Sequence, residues 1–401
     1  MPAHARAEDG APLAPAASPE TVDAGDLWRR IRHRSLLTDD APRLAIEAGK
    51  PFFVIAPSVG SKPSTGINAG LAANVAFVTS DPATTHLSSV SGGLKFSEKG
   101  QTLSGLKFAV FMPDDRWFVQ GDNRLSWTSQ NTYGLGGATS SADAENLKYD
   151  ALRIYETVYR TVAPGLFVGV GLDVNRHSNV RPGTGTEATF DQAAYALYSQ
   201  QHGFNLEHQT SNGTTASVML DTRDNAINAQ RGVLASATYR TFFNGFLGGD
   251  STWQEAVFDV RTYRNLTSDG RRRLAFWMLG DFVTGGTAPY LDLPATSSDS
   301  YGRSARGYGE GRYRGDHLVY GEVELRETLT RNGLLGYVAF LNMTTIDTDA
   351  PGDRLFDAMA PGVGGGLRVL LNKKSRTNLC IDYGWGKQGS HGLYLAIQEA
   401  F

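Results

Sequence analysis

The chain has 401 residues, 46 of them glycine, and its 38 basic and 41 acidic side chains leave a formal charge of -3. That balance gives no electrostatic reason to expect a nucleic-acid partner, and no stretch approaches the roughly 20 apolar residues of a spanning helix. The single cysteine, Cys380, excludes an intramolecular disulfide and any multi-cysteine metal site.

The start, Met1 to Ala7, carries small residues but no apolar core of a signal peptide. Either the numbering begins after a removed signal or the protein is not exported, and the strand pattern below favours export. Residues 7–24 are rich in Ala, Pro, Asp and Glu and read as a disordered leader. Residues 26–37 predict a short basic helix capped by Asp26, in which Leu27, Trp28, Ile31 and Leu36 stand beside Arg29, Arg30, Arg32 and Arg34. Such a helix either lies on anionic headgroups or covers the periplasmic mouth of a barrel. Residues 1–50 are thus expected to form a periplasmic leader, and 51–401 an outer-membrane β-barrel.

From Pro51 the pattern becomes alternating runs separated by turn residues. Ile67, Leu71, Val75 and Phe77 share one face, opposite Asn68, Gly70 and Asn74. In the run near 317–328, Val319, Val323 and Leu325 oppose Glu322, Glu324 and Arg326. Ala256, Phe258 and Val260 oppose Glu255, Asp259 and Arg261, and Leu367, Val369 and Leu371 oppose Arg368. Charged faces on so many long strands predict a wet lumen with lipid on the other side. The slightly polar mean hydropathy agrees, because the two faces cancel.

Such runs fall near 52–59, 66–78, 85–97, 101–112, 117–134, 148–162, 165–180, 212–222, 232–246, 251–267, 271–285, 316–329, 333–346, 362–373, 377–387 and 392–401. They predict an all-β, 16-stranded antiparallel transmembrane barrel, the even number that places both ends in the periplasm. If the first turn faces outside, odd connections should be the longer ones, and 178–212 and 285–315 are the longest. A propeller would repeat every 40 to 50 residues or so, and no such repeat is visible. Closure requires the strand 392–401 to pair with 51–59, where Pro51 and Pro57 remove two donors and predict a short seam.

Four segments resemble the bacterial surface antigen family, the BamA and TamA superfamily of outer-membrane insertases and two-partner secretion pores. Asp221-Thr222-Arg223-Asp224-Asn225 with Gly232 resembles the family's turn between two barrel strands. Arg306-Gly307-Tyr308, extended by Gly311 to Gly315, resembles the motif of its long sixth extracellular loop. Glu322 to Arg326 resembles the acidic strand that follows, and Gly364-Gly365-Gly366-Leu367-Arg368, Asp382 and Phe401 resemble the closing strands. The likeness covers about 51–401 and is strongest after Asp221.

The resemblance implies that Arg306 pairs in the lumen with Glu324 and with an acidic side chain on the next strand. Asn342 stands at that second position, so one anionic partner is expected to be missing, with Glu322 as a substitute. Leu393, Leu395, Ile397 and Phe401 resemble the terminal assembly signal, with Phe401 expected at the lipid-facing periplasmic rim. Gln398 stands where members often have a glycine that lets the last strand peel away. Members also carry soluble client-receiving repeats. Residues 1–50 cannot build one such domain, so the chain is expected to be a barrel-only member.

No enzyme is expected, and no cofactor or metal. There is no G-x-S-x-G, and Ser390 lies in a hairpin turn rather than a nucleophile elbow. No HExxH spacing occurs, and Asp221 and Asp224 are explained by a capped turn. The enzyme alternative is an outer-membrane phospholipase. Three functions compete: envelope biogenesis, in which the barrel helps proteins or lipids enter or cross the outer membrane; a plain pore or structural surface barrel; and a barrel acting with a separate periplasmic or membrane protein. Expected partners are outer-membrane lipids and the machinery that assembles barrels.

Overall fold

Strands that alternate apolar and polar residues have two usable faces, and closing the sheet lets one meet lipid while leaving no exposed edge. The computed structural model describes residues 21–31, 51–62, 64–81, 84–86, 88–300, 302–373 and 376–401. It is a closed antiparallel barrel of 16 strands in which each strand neighbours the next and β16 returns to β1. The strands are β1 Phe52–Lys62, β2 Gly66–Phe77, β3 Ser88–Ser97, β4 Thr102–Phe111, β5 Trp117–Thr132, β6 Glu145–Ala163, β7 Leu166–Pro182 and β8 Gln209–Asp221. They continue as β9 Gly232–Phe242, β10 Trp253–Asn265, β11 Arg272–Gly286, β12 His317–Thr328, β13 Leu335–Asp347, β14 Met359–Asn372, β15 Thr377–Trp385 and β16 His391–Ile397.

The expected faces hold. Ile55, Leu71 and Val170 point outward with 76%, 62% and 67% of their surface exposed, a display that water would penalise and hydrocarbon accepts. Along β12 every second residue from Leu318 to Arg326 is buried in the lumen. The lumen differs from expectation here: Glu322, Glu324 and Arg326 sit in a packed interior, not against water. Opposite charges inside the wall make that possible.

Several boundaries move. The third strand begins at Ser88 rather than 85, and the ninth ends at Phe242 because Gly245 turns the chain at φ 78. The last strand stops at Ile397, since Gln398 takes φ 83 and breaks the extended run. Between β7 and β8 lies a helix that the alternation did not predict, α2 Ala194–Gln201. At the N-terminal end, α1 spans Ala24–Ile31, and its cap is Asp23, not Asp26. The two exchange bonds, Asp26 N to Asp23 Oδ1 at 2.9 Å and Asp23 N to Asp26 Oδ2 at 3.2 Å. The contacts of this segment are with turns of the barrel: Val22 N donates to Asn332 O, and Lys373 Nζ lies 3.2 Å from Asp26. The side chains of Trp28 to Ile31, and Arg32, Arg34 and Leu36, lie outside the described residues.

The seam is the exception to a regular sheet. β15 and β16 pair from Leu379↔Ile397 to Trp385↔His391, and β1 and β2 pair along the whole of Phe52–Lys62. Among the described residues the register between β1 and β16 is a single position, Ser61↔Leu395. The junction is short, but it lies beyond 51–59, where pairing was expected: in this register Val59 stands level with Ile397, so Phe52 to Ser58 run past the end of β16. Pro51 precedes the strand, so Pro57 is the one proline within it, and there it stands opposite Leu71 in an unbroken register with β2.

Candidate functional site: an arginine lock in the lumen

The connection 287–316 between β11 and β12 turns into the barrel instead of standing outside it. Ala305, Arg306, Tyr308, Arg312, Tyr313 and Arg314 are all buried. Gly307 makes the approach possible. It takes φ 111, and a Cβ there would lie 2.8 Å from the carbonyl oxygen of Trp385 on β15. Tyr394 on β16 then accepts from Gly307 N at 2.9 Å and donates to Tyr308 O at 3.0 Å. Tyr308 Oη donates to Pro361 O at 2.6 Å and accepts from Lys387 N. The loop thus threads between β14, β15 and β16 by backbone contact.

This threading delivers the Arg306 guanidinium to the carboxylates of the wall. Nη2 lies 2.6 Å from Glu324 Oε2 and also bonds Glu322, and Nη1 lies 2.6 Å from Asp382 Oδ2. The guanidinium carbon stands 3.7 Å from the centre of the Phe340 ring. Arg306 is 2% exposed and Glu324 0%, so these are desolvated charges held by bonds to opposite charges. Asn342 is not a second anion, but no anion is missing: Asp382 supplies it from β15, and Glu322 adds another. Asn342 instead donates to the Arg306 carbonyl at 3.0 Å and fixes the backbone.

The network continues below the lock. Arg326 bonds Glu324 at 3.1 Å, and Arg368 bonds Asp382 and, at 2.7 Å, Glu399. Gly366 leaves room for Asp382, whose Oδ1 lies 1.9 Å from where a Cβ would stand. Burial alone pushes the Glu399 carboxyl up, but Arg368 and Arg326 outweigh it and hold it at about 2.

Phe401 departs from its expected place. It is not at the lipid-facing rim but inside the barrel, 6% exposed, against Trp277 at 5.2 Å and Tyr263 at 6.2 Å between ring centres. The turn at Gln398 reverses the alternation, so that Glu399 meets Arg368 and Phe401 O accepts from Arg326 at 2.8 Å. Leu393 keeps its outward place, 40% exposed, and Leu395 and Ile397 share its face by register. Arg303 bonds the carbonyl oxygens of Ile397 at 3.0 Å, Gln398 at 3.2 Å and Glu399. Sequence reasoning passed over Arg303 because nothing local distinguishes it from a solvated loop charge.

Both mouths are covered by loops. Outside, Tyr195 and Tyr198 of α2 meet Tyr290 edge-on at 5.7 and 5.6 Å between ring centres. Arg312 bonds Thr139 and Gln388 from two other connections. Asp292 accepts from Asn175 and, at 2.6 Å, from Ser211, and burial raises its carboxyl to about 6. On the other side, Arg223 makes two bonds to Asp221 at 3.0 and 2.8 Å. Asp224 accepts from Gln230 N and Arg231 N and pairs with Arg376 at 2.7 Å, which ties the β8–β9 turn to the β14–β15 turn. Ser390 Oγ donates to Gly307 O at 2.7 Å and thereby supports the loop.

No protein-family model matches the chain, and no curated protein matches it in sequence. Solved structures do match in fold. BamA from Haemophilus ducreyi lacking POTRA domains 1-3 superposes with a TM-score of 0.57 at 12% identity, over 87% of this chain and 70% of that one. CdiB from Acinetobacter baumannii gives 0.54 at 11%, over 87% of this chain and 59% of the other. CdiB from Escherichia coli gives 0.53 at 11%, over 86% and 62%. The chain therefore spans less than two thirds of either CdiB. What it shares with all three is the fold over most of its length, so the likeness to the surface antigen barrels holds at the level of fold.

Proposed function

We propose that the chain is an outer-membrane barrel for envelope biogenesis, which helps proteins or lipids enter or cross the membrane by parting the seam between β1 and β16. The observation that carries this reading is the seam itself, joined at Ser61↔Leu395 while every other junction is a long ladder. An unpaired N–H or C=O in hydrocarbon costs several kcal/mol, so a barrel opens where the fewest bonds break. The exposed edge of β1 then offers a template to which an incoming strand adds. The plain open pore is less well supported, because Ala305 to Tyr308 and Arg312 to Arg314 occupy the lumen and α2 packs on Tyr290 of the same connection. A separate soluble partner, docked where α1 meets the turns, completes the proposal, and no enzymatic step belongs to it.

A disulfide across the seam tests it. Ser61→Cys with Leu395→Cys, oxidised in liposomes, should slow the folding of an added urea-unfolded barrel at least tenfold, and reduction should restore it. Acceleration that is indifferent to the lock would sink the gate. Absence of acceleration by the unlocked protein, with or without proteins co-purified from native membranes, would return the chain to a structural role.

A further inference from the structure

The outer surface carries a polar pair in the middle of its apolar belt. Trp117 and Trp127, 43% and 47% exposed, stand on the outward face of β5 near its two ends. Ten residues of strand span about 33 Å, or roughly 25 Å of membrane at a tilt of about 40°, the height of an apolar belt between its aromatic girdles. Arg160, over the Trp117 ring at 5.0 Å, marks the lower girdle. Asn123 lies midway between the tryptophans on the same face. Glu156 is the cross-strand partner of Gly121 and so shares it too. Asn123 Nδ2 donates to Glu156 Oε1 at 2.8 Å. Around them are Leu106, Phe108, Leu125, Ile154, Val158 and Leu172.

A carboxylate aimed at lipid tails is costly, and side chains of this kind in a membrane normally have a partner. The pair is flat as well as polar. A Cβ at Gly121 would lie 2.5 Å from the Phe108 ring and 2.6 Å from Glu156 Oε2, so the glycine leaves the space that these two side chains fill and lets the carboxylate lie down along the sheet. It is also self-complementary. Asn123 has a second N–H to donate, and Glu156 has a second oxygen to accept it. A two-fold axis beside Gly121 sets each amide against the other copy's carboxylate, the isologous arrangement in which each residue contacts its counterpart's partner.

We propose that the outward face of β5 and β6 around Asn123 and Glu156 is the contact surface for a second copy of this chain within the membrane. The inference does not depend on the seam, which lies between β1 and β16.

The test is crosslinking in native membranes with the full chain. Ile154→Cys, beside the pair, should form a disulfide-linked dimer on oxidation, while Met278→Cys, outward on β11 and 54% exposed, should not. Cys380 is buried and adds no background. Asn123→Leu combined with Glu156→Leu should lower the Ile154→Cys dimer at least tenfold, whereas Glu156→Gln, which keeps the hydrogen bonds, should retain most of it. The shift in gel mobility on boiling reports whether each variant is folded. Independently, the mass of the wild-type chain in lipid nanodiscs should be that of a dimer. A monomer there, equal crosslinking at residues 154 and 278, or a folded double leucine variant that still crosslinks would each overturn the proposal.

Discussion

The wall from β12 to β15 and the junction of β16 with β1 are both antiparallel sheet, yet they are held in different ways. In the wall, continuous ladders are reinforced by Arg306, Arg326 and Arg368 set among Glu322, Glu324, Asp382 and Glu399. At the junction the backbone pairs at one position among the described residues, and a loop arginine, Arg303, takes up the carbonyls at and just beyond the end of β16. Ladder bonds rely on a neighbouring strand all along their length, whereas a guanidinium holds several oxygens from one point. Parting the first arrangement means dismantling the sheet, whereas the gate we propose at the second would need only one loop to move.

The largest expected effect lies in the wall. Arg306→Ala takes a cation from three buried carboxylates, of which Glu324 and Asp382 keep Arg326 and Arg368 while Glu322 keeps no other ion pair among the described residues. Breaking a buried ion pair from one side costs about 3–5 kcal/mol. The temperature at which the unboiled protein loses its fast-migrating form in SDS should fall steeply, and an unchanged temperature would remove the lock from the account of stability. Arg303→Ala should cost about 1–3 kcal/mol and act at the seam alone. Hydrogen exchange over residues 391–401 should quicken while 317–347 stays protected, and equal loosening of both would erase the contrast.

Acid should separate the two regions as well. Glu399 is held at about 2, against an ordinary value of 4.5, by Arg368 and Arg326, which outweigh its burial. Its folded-state value is depressed, so its contribution is present above about pH 4.5 and is lost as pH falls towards 2. Fluorescence of Trp277, which packs on Phe401, should change across that window, and Glu399→Gln should abolish the step. The smallest effect is expected at Gln398, whose φ of 83 is one that glycine adopts without strain. Gln398→Gly should stabilise the inward turn by about 0.5–1 kcal/mol, seen as a slightly higher transition temperature. A loss of stability would mean that the glutamine side chain holds the turn.

What the sequence determined by itself is what repeats locally. A strand that crosses lipid must alternate, so Val319, Val323 and Leu325 against Glu322, Glu324 and Arg326 gave away the faces, and the turn residues between runs gave the sixteen strands. The Arg306 to Glu324 pairing was legible through the resemblance, because both lie in short motifs. Tertiary structure alone decided the rest. Asp382 reaches Arg306 only because the loop threads past Gly384, and a carboxylate in an alternating strand does not announce its partner from another element. Phe401 looked outward by parity, but parity lasts only as long as the strand. One left-handed residue, Gln398, reversed it once Glu399 found Arg368 and the ring found Trp277. The register at Ser61↔Leu395 likewise depends on how the closed sheet shears, a property of all sixteen strands together.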